Sequence, residues 1–273
     1  MDRREGALGA AILAALLAGP LSAQGPLPAD WRIERVDREL KALPGAPLAI
    51  RNPWGDLRVR AGEEGRVVVH AVVQHDAGDA RPVAIESSEE AGARVVAVAW
   101  APDDGASPPG WARRRVDLAV EVPERAALSV RTERGLIEVK GHAGPLEARS
   151  VAGDLRLRVA GGPVDALTER GSILAVLAAE VWRQAARFEA PSGDVEVHFP
   201  ARTDASVLLE TRGALTTDFS LDVERLGPLA KRARAQLGRG GPEVVLRSGR
   251  GDLRILGLLA PPVPEVAPAP PAR

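Results

Sequence analysis

The chain has no cysteine and no tyrosine, and only three phenylalanines and one methionine in 273 residues. Without cysteine there is no disulfide, thiolate nucleophile, Cys-ligated zinc or iron–sulfur cluster. A lipoprotein-type anchor, which needs a cysteine at the cleavage site, is excluded too. With aromatics at 3% and hydrophobic residues at 45%, the core has to be aliphatic. Valine, leucine, isoleucine and alanine must fill it, and the β-branched ones favour strands. Charge of one sign is also missing: 36 basic residues face 37 acidic ones, for a net charge of −1. No basic excess suggests a nucleic-acid partner. Long hydrophobic runs are confined to one place. Residues 7–21 (ALGAAILAALLAGPL) follow two arginines and precede Ser22 and Ala23. Fifteen residues are short for a membrane span, which takes roughly 20. The layout is that of a secretory signal peptide over 1–23, with cleavage after Ala23 and an uncleaved anchor as the alternative. No later segment is apolar enough to span a membrane, so the mature chain is expected to carry no transmembrane span.

What the chain does have is a repeat. LSVRTERGLIEV at Gly135, LEARSVAGDLRL at Gly153, VDALTERGSILA at Gly171, ARFEAPSGDVEV at Gly193, SVLLETRGALTT at Gly213 and VVLRSGRGDLRI at Gly251 share one pattern, and LAIRNPWGDLRV at Gly55 is an earlier copy. From Gly135 onward the glycines are 18, 18, 22, 20 and 38 residues apart. Five positions before the glycine stand Ile50, Val130, Ala148, Ala166, Phe188, Leu208 and Leu246; two after it stand Leu57, Ile137, Leu155, Ile173, Val195, Leu215 and Leu253. Alternation on both sides of a fixed glycine predicts two short strands hinged at a corner. The corner is expected to need φ > 0, which glycine adopts cheaply. A constant step near 18–20 residues is the mark of stacked coils, each burying its inward face on its neighbours. Three positions after the glycine the outward residues Arg58, Glu138, Arg156, Glu196 and Arg254 alternate in sign, with Leu174 and Thr216 uncharged. Unlike neighbours there favour cross-strand pairing.

Upstream of the regular repeats, 66–74, 82–87, 94–100 and 116–122 read as strands joined by short turns, hence antiparallel. The expected organisation is a signal peptide at 1–23, a lead-in at 24–47, an antiparallel β portion at 48–126 and a solenoid at 127–259. An insertion at 222–241 interrupts the solenoid, and its VERLGPLAKRARAQLG is the best helix candidate in the chain. A Pro/Ala-rich tail at 260–273 is expected to be disordered or polyproline II. Residues 31–43 (WRIERVDRELKAL) fit either a helical stripe or a strand.

Together the motifs resemble the bacterial putative-adhesin family of β-strand repeat proteins of unknown function. The likeness runs over roughly 31–257 and rests on LAIRNPWGDLRV, VDLAVEVPERAALSVRTERGLIEV, the Gly-Asp steps at Gly153 and Gly193, and GRGGPEVVLRSGRGDLRI. It implies an all-β fold, a β-solenoid or β-helix-like stack of short strands preceded by an antiparallel portion, and it favours strand over helix at 31–43. It also implies an exported protein in the periplasm or at the cell surface. The expected role is a non-catalytic, adhesin-like scaffold or binding module for an envelope or surface component that the sequence leaves unidentified. The alternative is a glycan-active enzyme on a β-helix.

Candidate chemistry is sparse. Asp56, Asp154, Asp194 and Asp252 form a Gly-Asp series that could hold calcium or act as an acid/base pair on a glycan. The series is broken by Leu136, Ser172 and Ala214, and aspartate beside glycine is ordinary turn chemistry. His70, His75, His142 and His198 have no metal-ligand spacing. No serine lies in a G-x-S-x-G elbow. No catalytic residue, metal ligand or cofactor site is therefore assigned. The residues singled out are the corner glycines Gly55, Gly135, Gly153, Gly171, Gly193, Gly213 and Gly251, together with two aromatics. Trp54 and Trp111 could stack on sugar rings or seal an end of the solenoid. Two basic groups, Arg113–Arg115 and Lys231, Arg232, Arg234 and Arg239, read either as solvated surface or, for the second, as a contact for anionic polymers or lipid head groups.

Overall fold

The computed structural model describes residues 31–43, 45–78, 83–100 and 114–258. The expectations for 1–23 and 260–273, and for Trp111 and Arg113, lie outside the described residues. Within them all regular structure is strand. The chain enters on β1 (Trp31–Lys41) and makes a first coil of β2 (Leu48–Trp54) and β3 (Leu57–Gly62). β4 (Arg66–Asp76), β5 (Val83–Glu90), β6 (Ala93–Trp100) and β7 (Arg114–Pro123) follow. Regular coils then run β8 (Leu128–Arg134) with β9 (Ile137–Lys140), β10 (Leu146–Ala152) with β11 (Leu155–Val159), and β12 (Val164–Arg170) with β13 (Ile173–Leu177). After β14 (Val181–Trp182) come β15 (Ala186–Ala190) and β16 (Val195–Phe199); after β17 (Arg202–Thr203) come β18 (Ala205–Thr211) and β19 (Leu215–Thr217). β20 (Asp222–Arg225), β21 (Lys231–Leu237), β22 (Glu243–Ser248) and β23 (Leu253–Gly257) complete the described chain.

Two large sheets face each other. One has the order β1-β4-β7-β3-β9-β11-β13-β16-β23-β19; the other has the order β20-β21-β18-β22-β15-β12-β10-β8-β2-β6-β5. Every coil contributes its first strand to the eleven-stranded sheet, turns at its glycine, and contributes its second strand to the ten-stranded sheet. Neighbouring coils pair parallel and in register, Leu128 with Leu146 and Leu146 with Val164, Ile137 with Leu155 and Leu155 with Ile173. A period of two puts one residue in two inward, so like stacks on like and the inward columns are continuous. Ile50, Val130, Ala148, Ala166, Phe188 and Leu246 form one such column, all fully buried. A fold of parallel strands with both inner faces covered needs no disulfide to hold it.

The first copy, β2–β3, lies on the same stack as the later ones, paired parallel to β8 and β9. Next to it β6 and β7 are also parallel, to β2 and β3. In this N-terminal part antiparallel pairing is found at the outer strands, β5 on β6 and β4 between β7 and β1. Residues 31–41 are a strand, in register with β4 from Trp31↔Asp76 to Lys41↔Arg66.

Three features depart from the sequence reading. The insertion is a β-hairpin: β21 pairs antiparallel with both β18 and β20. Its Ala, Arg, Lys and Gln are good helix formers, but β18 would otherwise offer an open row of amide and carbonyl groups, and tertiary pairing outweighs propensity. That hairpin also changes the order of the coils. β22–β23 return to fill the slot between β15–β16 and β18–β19, so the last copy in sequence is the penultimate coil in space. Finally, the copy at Gly213 is one residue shorter before its corner. Leu209, not Leu208, pairs with Leu246 and is fully buried.

Candidate functional site

Each corner is built on close approach. A Cβ on Gly153 would fall inside the carbonyl oxygen of Gly135, one on Gly171 inside that of Gly153, and one on Gly193 inside that of Gly171. Gly251 stands in the same way on Gly193, and Gly213 on Gly251. Gly55 and Gly135 have φ of 128° and 141°, a region side chains avoid. Gly193, Gly213 and Gly251 have no such φ. The positive φ expected at every corner therefore holds for only part of the column, whereas the steric demand for a missing Cβ runs through all of it.

Beside the glycines runs a second column that settles what the aspartates do. Asp117 Oδ1 accepts the amide of Asp56 at 2.8 Å, and Asp56 Oδ1 accepts that of Leu136 at 3.1 Å. Asp154 Oδ1 accepts from Ser172 at 2.9 Å, and Ser172 Oγ from Asp194 at 3.2 Å. Asp194 Oδ1 takes the Asp252 amide and Asp252 Oδ1 the Ala214 amide, both at 2.8 Å. Each side chain caps the next coil's backbone. Leu136, with no acceptor to offer, is the one break. Arg115 closes the first rung, 3.1 Å from Asp56 and 2.8 Å from Asp117, and these carboxylates raise its pKa against the opposing effect of burial.

A third column lies beneath the corner and was not singled out from the sequence: Asn52, Thr132, Ser150, Thr168, Ser248 and Thr211, all buried. Thr168, Ser248 and Thr211 donate to the carbonyls of Gly153, Gly193 and Gly251 at 2.6–2.8 Å. Asn52 donates to the Val116 carbonyl at 2.7 Å. The signal was present, since a small polar residue recurs three before the glycine in most copies. It reads as turn composition until the register places it inside.

The outer face of the eleven-stranded sheet carries alternating charges. Glu147 sits between Arg131 at 2.9 Å and Arg149 at 3.2 Å, and Arg149 reaches Asp165 at 2.7 Å. Burial alone would raise the Glu147 pKa; Arg131, Ser129 and Arg149 outweigh it and hold it below the ordinary value. Further along, Glu210 bridges Arg232 and Arg247, each at 2.8 Å, and Arg247 reaches Glu189 at 3.1 Å. Next to this stripe, along the starting ends of the strands, is a shallow groove of about 580 Å³. It is lined by a column of small and cyclic residues, Pro47, Ala127, Pro145, Pro163 and Ala185, and by Ser129, Glu147, Asp165, Arg187 and Val245. It crosses six coils, or about 24 Å at ~4.8 Å per strand.

The remaining candidates are scattered. Trp54 is half-buried at the first corner, in register with Arg134. Trp182 is fully buried, its indole donating to the Gln184 carbonyl at 2.9 Å. His70 and His75 lie on β4 beside Asp37 and Glu34 of β1 at 2.7 and 3.5 Å, and His198 lies on β16 beside Glu196 at 2.7 Å. His142 is fully buried at the far corner of its coil. Arg239 is engaged by Asp204 at 2.9 Å, which holds that carboxyl well below the usual range. Among the described residues no group of three or more His, Asp or Glu is placed to hold a metal ion, and no helix is long and apolar enough to cross a membrane.

No protein-family model and no curated protein matches the chain. Solved structures do. A putative cell adhesion protein from Clostridium sporogenes is 14% identical with a TM-score of 0.44, the match covering 82% of this chain and 100% of that one. A putative adhesin from Bacteroides fragilis is 8% identical with a TM-score of 0.30, covering 82% and 97%. One from Parabacteroides distasonis is 11% identical with a TM-score of 0.27, covering 81% and 97%. The chain is thus similar in structure to putative adhesins and cell adhesion proteins, the group its sequence motifs resemble.

Proposed function

We propose that this chain is a non-catalytic binding module of the cell envelope, exported to the periplasm or cell surface. Its rigid coil stack presents the groove on the eleven-stranded sheet to an extended envelope polymer. The observation that carries the reading is the engagement of the corner carboxylates. An acid/base pair needs two carboxyl groups converging on one bond, and Asp56, Asp154, Asp194 and Asp252 are instead spent on backbone amides of successive coils. The groove supports binding, being continuous, largely apolar and bordered by Glu147, Asp165 and Arg187.

Retention of the protein on immobilised envelope polysaccharides and peptidoglycan tests this. Binding is expected, and Ser129→Trp, which places a large side chain in the groove's lining, is expected to abolish it without changing the melting temperature. Failure to bind any envelope polymer would count against the module. Product release that Asp154→Asn and Asp194→Asn abolish, with folding intact, would replace it with the glycan-active enzyme. Cell fractionation tests export, and recovery of the full-length chain in the cytoplasm would refute it.

A further inference from the structure

The described residues leave six large hydrophobic side chains exposed, and three of them, Val223, Leu226 and Leu229, belong to the β20–β21 hairpin at 49, 47 and 67% exposure. The hairpin overhangs the stack. The eleven-stranded sheet continues through β21 and β20 after the ten-stranded sheet has ended at β19. Alternate residues of β21 do cover the end of the core, Ala233, Ala235 and Leu237 being buried. The tip does not: it turns back through Leu226 N–H donating to the Ala230 carbonyl at 2.9 Å, and Leu226, Gly227, Pro228 and Leu229 are all exposed.

The charges around the tip are sorted. On the side away from the core, Arg232 pairs with Glu210 at 2.8 Å and Arg234 lies 3.9 Å from Glu224. At the base of the tip the cross-strand pair is Arg225↔Lys231, and Lys231 is in register with Thr211, beside exposed Arg212. None of Arg225, Lys231 and Arg212 has a carboxylate at ion-pair distance among the described residues; Lys231 instead donates to the Gly213 carbonyl at 2.9 Å. Like charges directly opposite on a hairpin are unfavourable, and exposed leucines at its tip add nothing to the core.

An apolar tip above a collar of unpaired cations matches an anionic lipid surface, where leucines enter the acyl boundary and cations meet the head groups. We propose that the β20–β21 tip docks this protein on anionic membranes. Edge-to-edge pairing with a second copy fits less well. β20 is only four residues long and carries Asp222, Glu224 and Arg225, the charges that discourage strand addition. The proposal does not depend on what the groove binds.

The absence of native cysteine makes a local test simple. Leu229→Cys in the full chain, labelled with a polarity-sensitive fluorophore, is mixed with phosphatidylcholine vesicles with and without phosphatidylglycerol. A blue shift is expected only with the anionic vesicles, and none from the same label at Glu63→Cys. Leu226→Ser and Arg225→Glu, each placed in the labelled chain, should weaken the partition roughly tenfold, with melting temperatures within a degree or two of the parent. No shift at position 229, equal shifts at 229 and 63, or partition insensitive to both variants would overturn the proposal. So would a blue shift that rises with protein concentration in the absence of vesicles, which would assign the tip to self-association.

Discussion

The carboxylate of Asp194 accepts the backbone amide of Asp252 at 2.8 Å, although the two residues are 58 apart in the chain. Between them lie a whole coil and a hairpin that are elsewhere in space. The bond shows how the stack is closed at its C-terminal end: the returning coil is pinned by the same corner chemistry as coils that follow each other directly. A carboxylate bound to an amide contributes about 1.5–3 kcal/mol when sheltered and less when half exposed. Asp194→Ala is expected to cost about 1 kcal/mol in urea unfolding, and Asp194→Asn, which keeps an acceptor oxygen, distinctly less.

Gly193→Ala is expected to destabilise by about 3 kcal/mol or more, because its backbone has no positive φ and the new methyl meets the Gly171 backbone, which cannot move without disturbing the ladder above it. Two controls separate this from conformation. Gly65, with φ of 79° and open space around it, should lose only about 1–2 kcal/mol on change to alanine. Gly227, with open space and no positive φ, should be nearly neutral. Equal losses at all three would refute the close-approach account.

His142 makes the stability pH-dependent. Burial lowers its pKa; its ring nitrogens make no hydrogen bond of ordinary geometry, although the carbonyls of Pro145 and Ala126, and Glu124, pull partly the other way. Unfolded, the ring takes up a proton near its ordinary value of about 6.5. The contribution is therefore present above that pH and lost as pH falls from there toward the folded value. Urea midpoints measured from pH 7.5 to 5 should fall on the acid side, and His142→Leu should flatten that slope. A slope unchanged by the substitution would place the effect elsewhere.

Glu210 lies between Arg232 and Arg247, and their hydrogen bonds, Arg232's first, lower its carboxyl pKa. Its contribution is present above the unfolded value of about 4.3 and fades as pH drops through the lower, folded one. Solvent and salt screen so exposed a cluster. Glu210→Gln is expected to cost less than about 1 kcal/mol, with most of the loss gone in 1 M salt. A cost unchanged by salt would point to packing rather than charge.

Much of the coil was legible in the residues. The glycines, the inward Ile50-to-Leu246 column and the charged outward faces are local patterns, repeated often enough to be read by alignment. The aspartates were legible as turn residues, though not as caps on the neighbouring coil, since that role needs a partner 18 to 80 residues away. The buried Thr and Ser column stayed hidden for the same reason: serine and threonine near a glycine look alike whether they face water or the core.

What the sequence by itself determined is the unit: an aliphatic, cysteine-free coil with a glycine at its corner. Tertiary structure alone decided how the units are ordered. The inward columns are apolar in every copy, and nothing in a single copy says which neighbour it takes. The choice followed from edges. Residues 231–237 pair with the open side of β18 as a strand despite their helical composition, and β22–β23 lie one slot inward of β18–β19. Hydrogen-bond demand at a sheet edge is a property of the assembled stack, and no stretch of the chain carries it alone.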